Sequence, residues 1–417
     1  MTETFQLFVG IDWATEAHQV CALNPHGEIL GERSVLHSGP ALGDLVTWLL
    51  KLAGGSPAAV AIAIEVPRGP LVETLLERGF TVFSLNPKQL DRFRDGYFPA
   101  GAKDDRRDAF VLAHSLRTDR PCFHAVRSDD PNILRLRDLS RLEEELQVSF
   151  HRYSCQLREQ LYRYYPPLFS LCPSADEPWL WALLERAPTP AHARRLSAAR
   201  LEKLLRAHRI RRLKPAEVIE QLQAPGFLLA PGTAEAASEH ALLLLPHLRL
   251  IAQQRGQLAV RIQALLDQLA TREPADAHTR QHRDVTLILS LPGVGRVVAA
   301  TMLAEASQAL AERDYHALRA YAGIAPVTRQ SGKKAVVLMR RGCNPRLRNA
   351  AYHWARVSMQ HDPVSRQHYH RLRTRGHSHG RALRGLADPL LAVLCAMLRS
   401  GTLYDQSRRH SSLHCTA

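Results

Sequence analysis

The chain has 417 residues, 45% apolar and 23% charged, with a formal net charge of +15 from 55 Lys and Arg against 40 Asp and Glu. That is enough for two or three folded domains and too apolar for a disordered chain. No run of about eighteen apolar residues is present to cross a bilayer, and "MTETFQLFVGID" lacks the basic region, apolar core and cleavage site of a leader, so the expectation is a cytoplasmic protein with no membrane partner. The seven cysteines are scattered without a C-x-x-C pair or ligand spacing to the 21 histidines, and neither a disulfide framework nor a zinc site is expected.

The first 120 residues or so alternate between strand and helix patterns. "QLFVGIDW" (6–13) reads as a strand, "HQVCALNPHGEILGERSVL" (18–36) as two strands around an Asn-Pro-His-Gly turn, and "AAVAIAIE" (58–65) as a buried strand. Helical patterns fall at about 40–53, 69–78, 87–95 and 104–117, with "FTVFSLN" (80–86) as another strand. A three-stranded meander followed by helix, strand, helix, strand and helices is the order of a ribonuclease H-like domain, placed at 1–125.

From about 130 the pattern is helical. Leu139, Leu142, Leu146, Phe150, Tyr153, Leu157, Leu161 and Tyr164 recur at three and four until Pro166 and Pro167 stop the helix. A second repeat, Leu244, Leu248, Ile251, Arg255, Leu258, Ile262, Leu265 and Leu269, is interrupted only by Arg255. Together they predict a coiled-coil or helical-hairpin region over 126–275, with an insertion at about 170–240 whose fold the sequence leaves open. In "LPGVGRVVAATMLAEA" (291–306) a tight Gly293-Val294-Gly295 turn joins two apolar helices, as in a helix-hairpin-helix whose turn amides hold a DNA phosphate; the same glycines also suit close helix packing. A C-terminal helical domain over 276–405 and a tail at 406–417 complete an α/β plus all-α organisation.

The positive charge is localised. Residues 331–400 carry fourteen Lys or Arg against Asp362 and Asp388 alone, and 193–214 carry nine against Glu202 alone. Such concentration favours a polyanion, most often nucleic acid, because neutralised phosphates release counterions.

A ribonuclease H-like domain that cuts phosphodiesters needs carboxylates from remote segments to meet and hold one or two Mg²⁺ ions. Asp12 ends the first strand, and Glu65 ends a central strand in "AIAIEVPRG", where a charge after an unbroken apolar run is costly without a partner. The third component is "GAKDDRRDAF" (101–110). In a helix Asp104 and Asp108 are four apart and Asp105 and Asp108 three apart, so either pair shares a face and spacing does not choose. These acids also suit the positive end of a helix dipole.

In their order these motifs resemble the DEDD-type insertion-sequence transposases, bridge-RNA-guided recombinases with relatives among DNA invertases. "GIDWATEAHQV", "IEVPRG" and "AKDDRRDAFVLA" carry the likeness at the N-terminus; "LPGVGRVVAATMLAE", "LRAYAGIAPVTRQSGKK" and "RRGCNPRLRNAAYHWA" carry it at the C-terminus. The resemblance implies a RuvC-like domain whose Asp12, Glu65, Asp105 and Asp108 bind Mg²⁺, with Asp104 at a variable position. It also implies that Ser331 attacks a DNA phosphate to form a phosphoserine link, and that the freed 3′-hydroxyl rejoins a new strand. Its implied partners are donor and target double-stranded DNA, a structured noncoding guide RNA, and further copies of the chain in a dimer or tetramer. Without the resemblance, Ser331 reads as a turn serine with no His or Asp in a neighbouring motif to take its proton. Beside it, Gly332 permits a tight turn, and Lys333, Lys334, Arg340 and Arg341 suit phosphates. The rival readings are a Holliday-junction-resolvase-like nuclease using water on the same carboxylates, a nucleic-acid-binding protein without catalysis, and a sugar-kinase or actin-like ATPase fold. The last also begins with a strand carrying Asp but would need a later Gly-rich phosphate loop that the sequence lacks.

Overall fold

The computed structural model describes residues 5–97, 104–127, 130–224, 227–271, 280–332 and 334–406, with 280–283 as backbone alone, and the chain divides between Asp129 and Asp130 into two units.

The first unit runs β1 (Leu7–Asp12), β2 (Ala17–Leu23), β3 (Ile29–Leu36), α1 (Gly39–Leu52), β4 (Val60–Ile64), α2 (Pro70–Glu77), β5 (Thr81–Ser84), α3 (Pro87–Tyr97), α4 (Asp105–Thr118) and β6 (His124–Val126). The sheet order is β3-β2-β1-β4-β5-β6. β1, β4 and β5 are parallel, whereas β2 opposes both its neighbours and β6 opposes β5. The first five strands have the ribonuclease H-like order expected from the sequence, and β6 adds an edge strand that the sequence reading did not contain. Side-chain alternation then separates the two faces. Leu7, Val9, Ile11, Val60, Ile62 and Ile64 pack under α1 and α2, while Ala61, Ala63 and Phe83 pack under α4. Leu, Val and Ile thus line one face, and the smaller Ala61 and Ala63 together with Phe83 line the other.

The second unit begins with α5 (Pro131–Tyr164), which ends just before Pro166 as expected. Five short helices fill the insertion: α6 (Leu168–Leu171), α7 (Pro178–Arg186), α8 (Pro190–Ala193), α9 (Ala198–Ala207) and α10 (Pro215–Gln223). The chain returns along α11 (Thr233–Thr271). Ile133 and Leu136 of α5 share a core with Leu258, Ile262 and Leu266, and Leu157 and Leu161 share another with Ala241 and Leu244, so α5 and α11 form an antiparallel hairpin. At 1.5 Å per residue they are about 50 and 60 Å long.

Arg255, the one break in the second repeat, pairs with Glu143 at 3.1 Å and lies over the Phe150 ring. Leu142, placed on the buried stripe by its spacing, is 44% exposed. At that level α5 instead buries Ser140, whose hydroxyl is 3.4 Å from that of Thr301. The insertion is helical around Trp179, Trp181, Leu183 and Leu204, which join the distal core of the hairpin. Its nine Lys and Arg over 193–214 are all exposed.

The remainder comprises α12 (Arg280–Leu289), α13 (Arg296–Glu305), α14 (Ser307–Ala311), α15 (Tyr315–Tyr321), β7 (Val327–Ser331), β8 (Lys334–Leu338), α16 (Pro345–His361), α17 (Pro363–Thr374) and α18 (His379–Ser400). α18 stops at Gly401 in the left-handed conformation that glycine adopts without penalty. One ion cluster fastens α5, α13 and α16 together. Glu305, with a side chain only 4% exposed, receives hydrogen bonds from Arg141 at 3.0 and 3.2 Å and from Asn344 at 2.9 Å, and lies 3.2 Å from Arg346.

Candidate active site

Ile11 of β1 lies opposite Ile64 of β4 in parallel register. Asp12, the last residue of β1, and Glu65, the residue after β4, therefore leave neighbouring strands at the same level. Both are half-buried.

α4 carries the remaining acids, and Gly10 sets how closely it approaches. A Cβ on Gly10 would stand 1.9 Å from the Ala109 carbonyl oxygen and 2.5 Å from the Ala113 nitrogen, so the helix rests directly on the β1 backbone. Asp104 lies outside the helix as its N-cap, its carboxylate accepting from the Arg106 amide at 3.2 Å. Asp105 opens the helix in solvent, whereas Asp108 is 2% exposed on the face that carries Ala109 and Leu112.

The charge of Asp108 is met by Arg94 of α3. Arg94 Nε lies 2.5 Å from Oδ1 and Nη2 lies 2.7 Å from Oδ2, a bidentate pair, while Nη1 reaches Asp91 at 2.9 Å. The hydrogen bonds to Asp108 hold the guanidinium above its ordinary pKa despite burial. Sequence reasoning passed over Arg94, because "DRFRDGY" reads as an ordinary charged surface helix.

The turn after Asp12 is braced by a second contact absent from that reading. Buried His18 accepts the Ala14 amide on Nδ1 at 3.3 Å, which leaves its proton on Nε2 to be donated to His37 Nδ1 at 2.9 Å. Burial, and then the neighbouring His37, push the His18 pKa down and keep that ring neutral.

In the second unit Ser331 ends β7 opposite Lys334, exposed at the tip of a two-stranded ribbon, with Gly332 at φ +56° in the turn. None of the described residues hydrogen-bonds the Ser331 hydroxyl through an interaction found in the structure. Lys334 and Arg341 are exposed, Arg340 donates to the Ala325 carbonyl at 3.2 Å and ties down the ribbon base, and Lys333 lies outside the described residues. The glycine turn divides its duties. Gly293, at φ +81°, has no room for a Cβ, which would meet the Ser358 nitrogen at 2.6 Å. Beside it the Pro292 carbonyl accepts from Ser358 Oγ at 2.6 Å and from Trp354 Nε1 at 3.0 Å. Gly295, the N-cap of α13, is exposed with open space around it.

Two family models match the chain. One, described as a transposase of the IS110-type DEDD class, covers residues 9–166, and the other, "Transposase IS116/IS110/IS902 family", covers 285–370. The "Mini-circle putative transposase for IS117" of Streptomyces coelicolor is 30% identical over 99% of this chain and 98% of its own length. The chain belongs to the IS110/IS116/IS902 transposase family. The "Insertion element IS110 uncharacterized 43.6 kDa protein" of the same organism is 30% identical over 97% of this chain and 96% of its own. "Putative transposase y4uE" of Sinorhizobium fredii is 45% identical over a segment covering 51% of this chain and 59% of that protein. Within this transposase the first model spans all four candidate acids and Arg94, and the second spans the glycine turn, Ser331 and Arg340.

A DEDD-type domain implies a divalent cation. The donor chemistry of the first unit fits one, since carboxylate oxygens at two adjacent strand ends and on the helix above them suit a hard cation. Among the described residues, the one place where three metal-ligating groups come within 4.8 Å of one another is Cys172, Asp176 and Glu177 of the insertion. There the Glu177 carboxylate is already taken by Arg212 at 2.6 Å and Trp179 Nε1 at 2.9 Å, and burial raises the Cys172 thiol pKa, so the group reads as a structural network. Asp12, Glu65, Asp105 and Asp108, the four candidate acids, do not form such a group of three, and Asp108 pairs with Arg94.

Proposed function

We propose that this transposase cuts and rejoins DNA through a covalent phosphoserine link at Ser331, with Asp12, Glu65, Asp105 and Asp108 holding Mg²⁺. The observation that carries the reading is the junction of Asp12 and Glu65 at one level of the sheet with a helix, seated on Gly10, that buries Asp108. Bound there, the cation supplies positive charge to the scissile phosphate and the leaving oxygen.

The chain's own residues do the rest. Ser331 Oγ bonds to phosphorus as the bond from phosphorus to the 3′ oxygen breaks, and the serine proton is transferred to that oxygen. In the second step a 3′-hydroxyl attacks the phosphoserine of another strand, which restores the serine and the number of phosphodiesters, so no external energy source is needed. Exposed Lys334 and Arg341 beside the ribbon, and the α13 N-terminus at Gly295, offer positive charge and amides to DNA phosphates.

A structured guide RNA and donor and target DNA are the partners that suit the exposed cations of 193–214 and the surplus over 331–400. Assembly into a dimer or tetramer is supported by two exposed features. The β7–β8 ribbon leaves Val336 and Val337 in solvent, and a two-stranded sheet is marginal without something to pack on. On α5, Val148, Cys155 and Tyr162 are exposed at seven-residue steps along one face.

The test is to incubate the purified protein with Mg²⁺, flanking DNA and co-purifying RNA and to map any covalent adduct. An adduct on Ser331 that is lost in Ser331→Ala and Asp108→Asn is expected. Recombination without an adduct overturns the serine assignment, and DNA cleavage unaffected by Ser331→Ala favours a water-using nuclease.

A further inference from the structure

Both carboxylate oxygens of Asp108 are taken up by Arg94, in a place with little water: the side chains are 3% and 15% exposed. A dication on either oxygen would stand beside the full charge of the guanidinium, and low exposure leaves that repulsion poorly screened. One of the two must yield. α4 is not the part that moves, because it lies in backbone contact with Gly10.

Arg94 has both the reach and an alternative partner. It lies in the last turn of α3, a helix with only Leu90 buried, and its Nη1 already holds Asp91, one turn earlier and 61% exposed. Swinging outward, the guanidinium exchanges a buried carboxylate for a solvated one without losing every partner.

We propose that Arg94 is a latch on the candidate cation site: it holds both oxygens of Asp108 until a divalent cation enters, then releases them and remains with Asp91. The inference rests on reading Asp108 as a cation ligand. Arg94 is a positioning residue in this account, acting through Asp108. While latched it keeps the buried carboxylate neutralised, and its release couples cation entry to a shift of the guanidinium toward Asp91 at the solvent edge.

The test uses the purified full-length protein and Mn²⁺ as the probe, with free Mn²⁺ measured by electron paramagnetic resonance and melting followed in chelator and in Mn²⁺. Arg94→Gln, which removes the charge, is expected to bind Mn²⁺ about tenfold tighter, because cation entry no longer breaks a bidentate charge-assisted pair. It is also expected to melt lower in chelator and to gain more on adding Mn²⁺. Arg94→Lys, which keeps the charge but cannot span both oxygens, is expected to fall between the two, and it carries the test should the Gln variant not fold. Unchanged or weaker Mn²⁺ binding in the Arg94 variants, with the site lost in Asp108→Asn, overturns the latch and leaves Asp108 as a ligand. An Asp108→Asn protein that binds as many Mn²⁺ ions as the wild type overturns the ligand assignment itself, and the latch with it.

Discussion

Substituting Gly10 by alanine adds one methyl group at the place where the candidate site is least able to accept it. The new Cβ would lie 1.9 Å from the Ala109 carbonyl oxygen, 2.5 Å from the Ala113 nitrogen and 2.9 Å from the Leu112 Cβ. Ordinary contact requires α4 to retreat by about 1.5 Å. Overpacking costs about 1–3 kcal/mol where side chains can shift; here two of the obstructing atoms are helix backbone, which places Gly10→Ala near 3 kcal/mol, or about 10 °C in the melting of the first unit. Asp108 adjoins Ala109 and moves with it. A displacement of about 1 Å at a catalytic group costs about a hundredfold in rate, so under the role proposed for Asp108 strand transfer is expected to fall by that factor in protein that still folds. Hydrogen exchange across residues 105–118, together with melting of the full chain, reads the effect. Wild-type melting with wild-type protection of α4 would refute the claim that the helix is seated on Gly10.

Other substitutions probe the remaining contacts. Glu305→Gln breaks a buried ion cluster and is expected to cost about 3 kcal/mol of stability at neutral pH in urea unfolding. Burial alone would raise the Glu305 pKa, but Arg141, Asn344 and Arg346 overcome it and hold the carboxyl below its ordinary value of 4.5. Its contribution is therefore complete above that value and lost as the pH falls below it, and the gap between variant and wild type should close in acid. Gly293→Ala, at φ +81° and against Ser358, should lower the melting temperature, whereas Gly295→Ala, an N-cap with open space around it, should lower it much less and weaken DNA binding in a salt-dependent shift assay. Asp104→Ala removes an N-cap worth about 1 kcal/mol and should retain strand exchange; a loss as large as that of Asp108→Ala would show that the assigned order of the aspartates is wrong.

The ends of β1 and β4 were legible because their signal is local: an unbroken apolar run stops at Asp12 and just before Glu65. The four-three repeat of α11 was legible for the same reason, including Arg255, whose partners Glu143 and Phe150 explain its place in an apolar stripe. The β7–β8 ribbon was not legible. Every residue of β8 is exposed, so neither strand carries the buried and exposed alternation by which strands are recognised. The helices of the insertion were hidden too, because each is short and their shared core around Trp179 and Trp181 is completed by the distal ends of α5 and α11.

Among Asp104, Asp105 and Asp108, spacing allowed two pairings and the family motif selected one. The fold shows why the three differ physically: Asp104 is spent as a cap, Asp105 meets solvent, and Asp108 alone is buried against a partner. By itself the sequence determined the strand and helix alternation of the first unit, the two long apolar-striped helices, the localised charge and where β1 and β4 end, because each follows from periodicity or composition within a few residues. Only the tertiary structure decided that Gly10 seats α4, that Gly293 serves packing while Gly295 stays open, and that Arg94 closes on Asp108. Those depend on which backbone passes over which, and a contact between segments distant along the chain leaves no periodic trace in either one.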